Sequence, residues 1–186
     1  MKPIEDLSLG ELAAFVCTHL RTNGIEVVLS GGGCVSIYTS NRYQSYDLDF
    51  IENLPTSRRR IKEVLLVIGF IEKDRIFAHP QSDFVLDFPA GPLAVGSEPV
   101  KETVDMKFST GILTLLSPTD CVKDRLAAYY YWEDLQSLEQ ALMVVEAKEI
   151  DVDEIRRWSA VENKLTELEC ILDVLIKAAG GNRDSK

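Results

Sequence analysis

Two aspartates, Asp47 and Asp49, stand one leucine apart in YDLDF, downstream of a glycine triplet, Gly31 to Gly33, in LSGGGCVS. In a strand, alternation sends both carboxylates to one face and Leu48 and Phe50 to the other, with the two aspartate Cα atoms about 6.6 Å apart. Like charges facing one way repel unless a cation lies between them. Mg²⁺ suits the position, because it takes oxygen ligands and keeps substrate phosphates in its shell. A third acid would allow two ions about 3.5 to 4 Å apart, the arrangement that stabilises entering and leaving oxygens in phosphoryl transfer. Asp87, in the apolar run FVLDFP, is the candidate, with Asp83 at the strand entry as the weaker alternative. Glycine lets the backbone approach a phosphate closely, and a helix that follows directs its first amides at the anion. Gly31 to Gly33 therefore read as a triphosphate cradle, with Ser30 or Ser36 adding a hydroxyl.

These residues need elements to hold them. Ser8 and Glu11 have capping-box spacing, and Leu9, Leu12, Ala13, Val16 and Leu20 recur at helical intervals until Asn23-Gly24. A strand over Ile25 to Leu29, a short helix from about Cys34 to Thr39 and a strand over Tyr46 to Ile51 follow. RRRIKEVLLVIGF reads as a helix with Ile61, Val64, Leu65 and Ile68 on one stripe, the arginines being its solvated first turn. Further strands are expected at Arg75 to Ala78, Asp83 to Phe88, Thr103 to Phe108 and Ile112 to Leu115. From Ser117-Pro118 the pattern is helical only, in TDCVKDRLAAYYYW, DLQSLEQALMVVEAK, VDEIRRWSA and ENKLTELECILDVLIKA, before a tail, GGNRDSK, expected to fray. The chain thus divides into an α+β catalytic region, 1–116, and a helical C-terminal region, 117–186, packed on it. Tyr129 to Trp132 point around a helix circumference and read as packing residues, with one or two at most free to face a nucleotide.

At 46% hydrophobic and 27% charged residues the composition is that of a globular chain, and 186 residues can build a core without staples. A net charge of −10 opposes wrapping a nucleic-acid backbone over a broad surface, while leaving small anions escorted by a divalent cation. Cys17, Cys34, Cys121 and Cys170 are scattered, and with only His19 and His79 beside them a zinc cage is disfavoured; free thiols are expected. MKPIEDLSLGELAAF has no signal-peptide run and no stretch is long enough to span a bilayer, so a soluble, cytoplasmic protein is expected.

The order SGGG, then RYQSYDLDF, resembles the signature of the DNA polymerase beta-like nucleotidyltransferase superfamily. Within it, the sequence is most similar to the nucleotidyltransferase toxins of abortive-infection systems, matched at Gly31, Gly32, Arg42, Tyr43, Ser45, Asp47 and Asp49 with one residue more in the spacing. DRLAAYYYWEDL is similar to that branch's helical Lys-Leu-x-Ala segment with a later acid, which sets Arg125 at the phosphate-contacting lysine and Asp134 at the acid. Arginine can hold phosphate bidentately but cannot titrate as a general acid; Lys123, nearby on the helix, is the other cation available. The resemblance implies a nucleotidyltransferase-like mixed β-sheet flanked by helices, Mg²⁺ as cofactor, and transfer of a nucleoside monophosphate from a nucleoside triphosphate to an acceptor hydroxyl. It leaves RNA or protein open as the acceptor and a cognate antitoxin as a candidate partner; with the cradle reading above, Ser30, Gly31, Gly32, Gly33, Ser36, Arg42, Ser45, Lys123 and Arg125 are the residues expected around the nucleotide.

Each feature also has a plainer explanation. GGG alone is a flexible turn, and a Rossmann fingerprint fails because Ser36 stands where its third glycine belongs. Asp47 and Asp49 alone could be solvated edge-strand charges. Arg42 could pair with an acidic neighbour, and Lys123 and Arg125 could be surface charges on an amphipathic helix. A chain that keeps the fold and binds without turnover is the alternative to an enzyme.

Overall fold

The computed structural model describes residues 2–181; residues 182–186, most of the tail expected to fray, lie outside the described residues. After a 3₁₀ turn at Ile4–Asp6, helix α1 (Leu9–Thr22) starts on the expected capping box, with Ser8 and Glu11 exchanging hydrogen bonds, and ends at Asn23. Strand β1 (Val27–Ser30) is buried throughout and runs directly into α2 (Gly31–Tyr38). The helix therefore begins at Gly31 and not near Cys34: all three glycines form its first turn. Their low helix propensity hides this from periodicity, and tertiary context overrides it.

Strand β2 (Asp47–Glu52) is followed by α3 (Arg58–Val67), whose N-cap Ser57 accepts from the Arg60 amide. Then come β3 (Ile71–Lys73), β4 (Ile76–Ala78), β5 (Val85–Asp87), the hairpin β6 (Ala94–Val95) and β7 (Glu98–Pro99), β8 (Thr103–Phe108) and β9 (Gly111–Leu116). Every described element beyond Leu116 is helical: α4 (Pro118–Trp132), α5 (Leu135–Ala147), α6 (Val152–Val161) and α7 (Leu165–Gly181).

Seven strands form one mixed sheet in the order β3-β4-β5-β2-β1-β9-β8, with β6 and β7 apart. β2 runs antiparallel to β1 and parallel to β5, and β1 runs parallel to β9. Alternation behaves as the sequence requires: Leu48 and Phe50 of β2, Leu86 of β5 and Phe77 of β4 are fully buried, which leaves Asp47, Asp49 and Asp87 on the opposite side. Helix α1 packs along β9, β1 and β8, while α2 lies against β1 and β2 and is met by α4 and α5.

The helical region is locked by its aromatics. Tyr130 stacks on Trp158 with ring centroids 5.8 Å apart, and Trp158, fully buried, donates its indole N–H to the Val95 carbonyl of the β6–β7 hairpin. Trp132 is 76% exposed, so the run Tyr129 to Trp132 does turn around the helix, with Tyr130 in the core. Cys17, Cys34, Cys121 and Cys170 are all free thiols, and no described helix is long and apolar enough to cross a membrane.

Candidate active site

Register brings the carboxylates together. Asp49 of β2 lies opposite Ser30 of β1 on one side and opposite Asp87 of β5 on the other, and Asp47 is opposite Val85. Cross-strand partners share a face, so Asp47, Asp49 and Asp87 project together into a cleft of about 330 Å³. Opposite walls come from Gly32 of α2, Tyr43 and Ser45 of the loop before β2, Ile76 of β4, Arg125 of α4, and Asp134, Gln136, Ser137 and Gln140 at the start of α5.

Gly31 opens α2 at φ +62°, a left-handed conformation that disfavours a side chain, and a Cβ there would overlap Asp49 Oδ2. The Asp49 carboxylate thus lies directly against the first residue of the helix. First-turn amides have no intrahelical acceptor. Ser30, the N-cap residue, does not cap them: its hydroxyl donates to the Asp49 carbonyl at 3.3 Å. An uncapped helix N-terminus, lined by glycine and facing a cleft, is a ready anion site.

The carboxylates are electrostatically costly to one another. Burial, and then the charge of Asp87, push the Asp49 carboxyl up to about 6, with Asp124 and Asp47 adding to the rise and Arg125 opposing it. Arg125 itself is half-buried but pairs with Asp124 at 2.6 Å and donates to Gln140 Oε1 at 3.3 Å. Burial works against its charge, yet Asp124, Cys121 and Asp49 outweigh that and hold the guanidinium above its ordinary value. Asp87 Oδ1 accepts the Phe88 amide at 2.8 Å, while Oδ2 has no hydrogen bond to a described residue.

Among the described residues no set of three or more His, Cys, Asp or Glu side chains is arranged to hold a metal ion. Mg²⁺ does not ordinarily use such a cage: one or two carboxylates hold it and substrate phosphates and water complete its shell. Oxygen-only donors on adjacent strands, mutually repelling and next to an uncapped helix end, fit that mode of binding.

Several residues marked out from sequence meet at the cleft: Gly32, Ser45, Asp47, Asp49, Asp87 and Arg125 all line it, with Gly31 against Asp49. Others are directed elsewhere. Gly33 packs on Leu29 and Leu48, and Ser30 is buried behind Asp49. Ser36 is buried, its hydroxyl donating to the Gly32 carbonyl and accepting the Ser45 amide. Arg42 faces away to Glu146 and the Met143 carbonyl on α5, the acidic-neighbour alternative raised above. Lys123 is not a surface charge but is buried between Asp120 and Glu154, in a different cavity. Two residues apart on one helix, Lys123 and Arg125 cannot share a direction, so only one reaches the cleft. Asp83 is exposed ahead of β5 and does not line it.

Sequence reasoning missed Ile76 and the α5 residues Gln136, Ser137 and Gln140. A signal existed for two of these: Ser137 and Gln140 interrupt the stripe that continues through Ala141, Val144 and Val145, and all five are buried. Polar side chains at buried helical positions must find partners; Ser137 bonds Asp134 and Gln140 bonds Arg125.

No protein-family model matches the sequence, and no curated protein does. Solved structures do match. An antigenic nucleotidyltransferase-like protein from Paracoccidioides brasiliensis superposes with a TM-score of 0.63 at 12% identity, covering 94% of each chain. The antibiotic-resistance factor ANT(2'')-Ia, in its solution structure, gives a TM-score of 0.50 at 13% identity, covering 87% of this chain and 94% of its own. The fold is therefore nucleotidyltransferase-like: a mixed sheet flanked by helices with a helical region following it.

Proposed function

We propose that this chain is a Mg²⁺-dependent nucleotidyltransferase that moves a nucleoside monophosphate from a nucleoside triphosphate to an acceptor hydroxyl. One observation carries the reading: Asp49 and Asp87 are register partners on parallel strands, Asp47 shares their face, and the α2 N-terminus sits against Asp49.

Bound Mg²⁺ would supply positive charge to the triphosphate and to the departing pyrophosphate. Asp47 and Asp49 are the residues that would hold it, joined by Asp87. The uncapped amides of Gly31 and Gly32 receive phosphate oxygens. Arg125, permanently charged and partly enclosed, adds a forked donor across the cleft. Asp87 Oδ2 orients the acceptor hydroxyl and takes its proton as the new bond to the α-phosphorus forms and the bond to pyrophosphate breaks.

The finer assignment is a toxin–antitoxin or phage-defence component acting on RNA or protein, with a cognate antitoxin as partner; it rests on the resemblance around Gly31 to Asp49. A second reading, binding without turnover, is favoured by one fact: the Arg125 guanidinium already serves Asp124 and Gln140. Purified protein incubated with labelled triphosphates, Mg²⁺ and a pool of RNA and protein acceptors separates the two. Transfer that disappears in Asp47→Ala is expected; wild-type transfer no greater than that of Asp47→Ala sinks the enzymatic reading, and metal-dependent triphosphate binding without transfer establishes the second.

A further inference from the structure

Ser36 and Ser45 form an internal chain of hydrogen bonds that ends on Asp47. Ser36, fully buried on α2, donates its hydroxyl to the Gly32 carbonyl at 3.1 Å and accepts the Ser45 amide at 2.8 Å. Ser45, 8% exposed, donates its hydroxyl to the Asp47 carbonyl at 3.0 Å and accepts the Asp47 amide at 3.2 Å. The path therefore starts in the glycine turn and finishes on both backbone groups of the first carboxylate residue.

Gly33 packs on Leu48 and Gly31 on Asp49, and the serine hydroxyls add the hydrogen bonds that run from α2 to the residues at the start of β2. The segment between α2 and β2 has no regular structure and passes through two left-handed residues, Ser40 and Asn41. The β1–β2 ladder starts only at the Ser30–Asp49 pair, so Asp47 extends past it. On the β5 side Asp47 is held by its pairing with Val85; on the α2 side it is held by the two hydroxyls. Each serine has already committed its one hydroxyl hydrogen within the protein and accepts one backbone amide, so neither can donate to a ligand without giving up an internal bond.

We infer that Ser36 and Ser45 are positioning residues that fix the Asp47 carboxylate relative to the α2 amides, so that metal and triphosphate are bound as one unit. The inference rests on the nucleotidyltransferase reading of the cleft. Residues of this kind typically set metal affinity by about 10-fold to 100-fold without touching the ion.

The experiment compares wild type with Ser45→Ala, Ser45→Thr and Ser36→Ala. Calorimetry with Mg²⁺ and a non-hydrolysable analogue of each common ribonucleoside triphosphate gives the affinity, and backbone amide exchange at residues 45 and 47 gives the positioning. Expected is a loss of about tenfold or more in Mg²⁺-dependent affinity for Ser45→Ala, with most of it restored in Ser45→Thr, which keeps the hydroxyl. Faster exchange of the 45 and 47 amides should accompany it. A folded Ser45→Ala protein that binds within twofold of wild type overturns the inference. If Ser45→Ala does not fold, Ser36→Ala breaks the same path one bond earlier and decides by the same criterion. If wild type binds no Mg²⁺–nucleotide, the nucleotidyltransferase reading fails, and unchanged exchange in Ser36→Ala then separately overturns the positioning role.

Discussion

Replacing Asp49 by asparagine should make the metal-free protein more stable at neutral pH while removing its metal-dependent binding. The carboxyl rises from an ordinary 3.8 to about 6 on folding, chiefly through burial and the neighbouring Asp87. At about 1.4 kcal/mol per tenfold change in proton affinity, that rise corresponds to a destabilisation of about 3 kcal/mol in the charged form. The side chain is only partly enclosed, so about 2 kcal/mol is the expected gain after solvent screening. Because the folded value lies above the unfolded one, the folded state holds this proton more tightly. The contribution is intact below about pH 4 and is lost as pH rises through about 6. The asparagine side chain stays neutral and is nearly isosteric, so the advantage of Asp49→Asn should be absent at pH 4 and fully developed at pH 7. For a chain of this size about 2 kcal/mol moves Tm by about 4 to 8 °C. Thermal melts in chelator at pH 4, 5, 6 and 7 measure it, and added Mg²⁺ with nucleotide should raise Tm in wild type alone. A variant less stable than wild type at pH 7, or equally advantaged at pH 4, would refute the electrostatic argument.

Three other outcomes follow from the same geometry. Gly31→Ala forces a side chain into a left-handed position and onto the Asp49 carboxylate, and should cost about 1 to 3 kcal/mol in denaturant unfolding along with triphosphate affinity. Arg125→Lys keeps the charge but loses the fork shared with Asp124 and Gln140; triphosphate affinity measured by calorimetry should fall about tenfold, as befits losing a charge-assisted hydrogen bond. Trp158→Ala removes a fully buried ring and the hydrogen bond to Val95, and should cost about 3 to 5 kcal/mol by equilibrium unfolding.

How far the sequence disclosed this arrangement depends on the residue. Asp47 and Asp49 were legible because strand alternation is a strict period of two and Leu48 and Phe50 supply the buried half of it. Asp87 was legible by the same logic, as a charge in an otherwise apolar strand, although its register against Asp49 depends on a long-range pairing no local pattern encodes. The start of α2 was hidden because glycine carries no periodic signal. Strand β3 escaped because it is a short edge element whose Ile71 is 54% exposed, so it shows no buried face. Lys123 and Arg125 could not be told apart without knowing which side of α4 meets the cleft. Ser36 and Arg42 stand apart from the cleft for one reason: motif spacing reports proximity in the chain, whereas their partners, the Ser45 amide and helix α5, are set by the fold.

The parallel pairing of β2 with β5 also bears on when the chain can become competent during its own synthesis. Asp49 and Asp87 lie 38 positions apart (87 − 49), the wall opposite them arrives only with α4 and α5, and parallel neighbours cannot be joined by a tight turn. Closing such distant contacts is slow compared with winding α1 or α3. A nascent chain that has emerged as far as β2 carries both aspartates and the glycine turn, yet lacks the partner strand and the roof. The cleft is thus not assembled until the chain through Gln140 has left the ribosome.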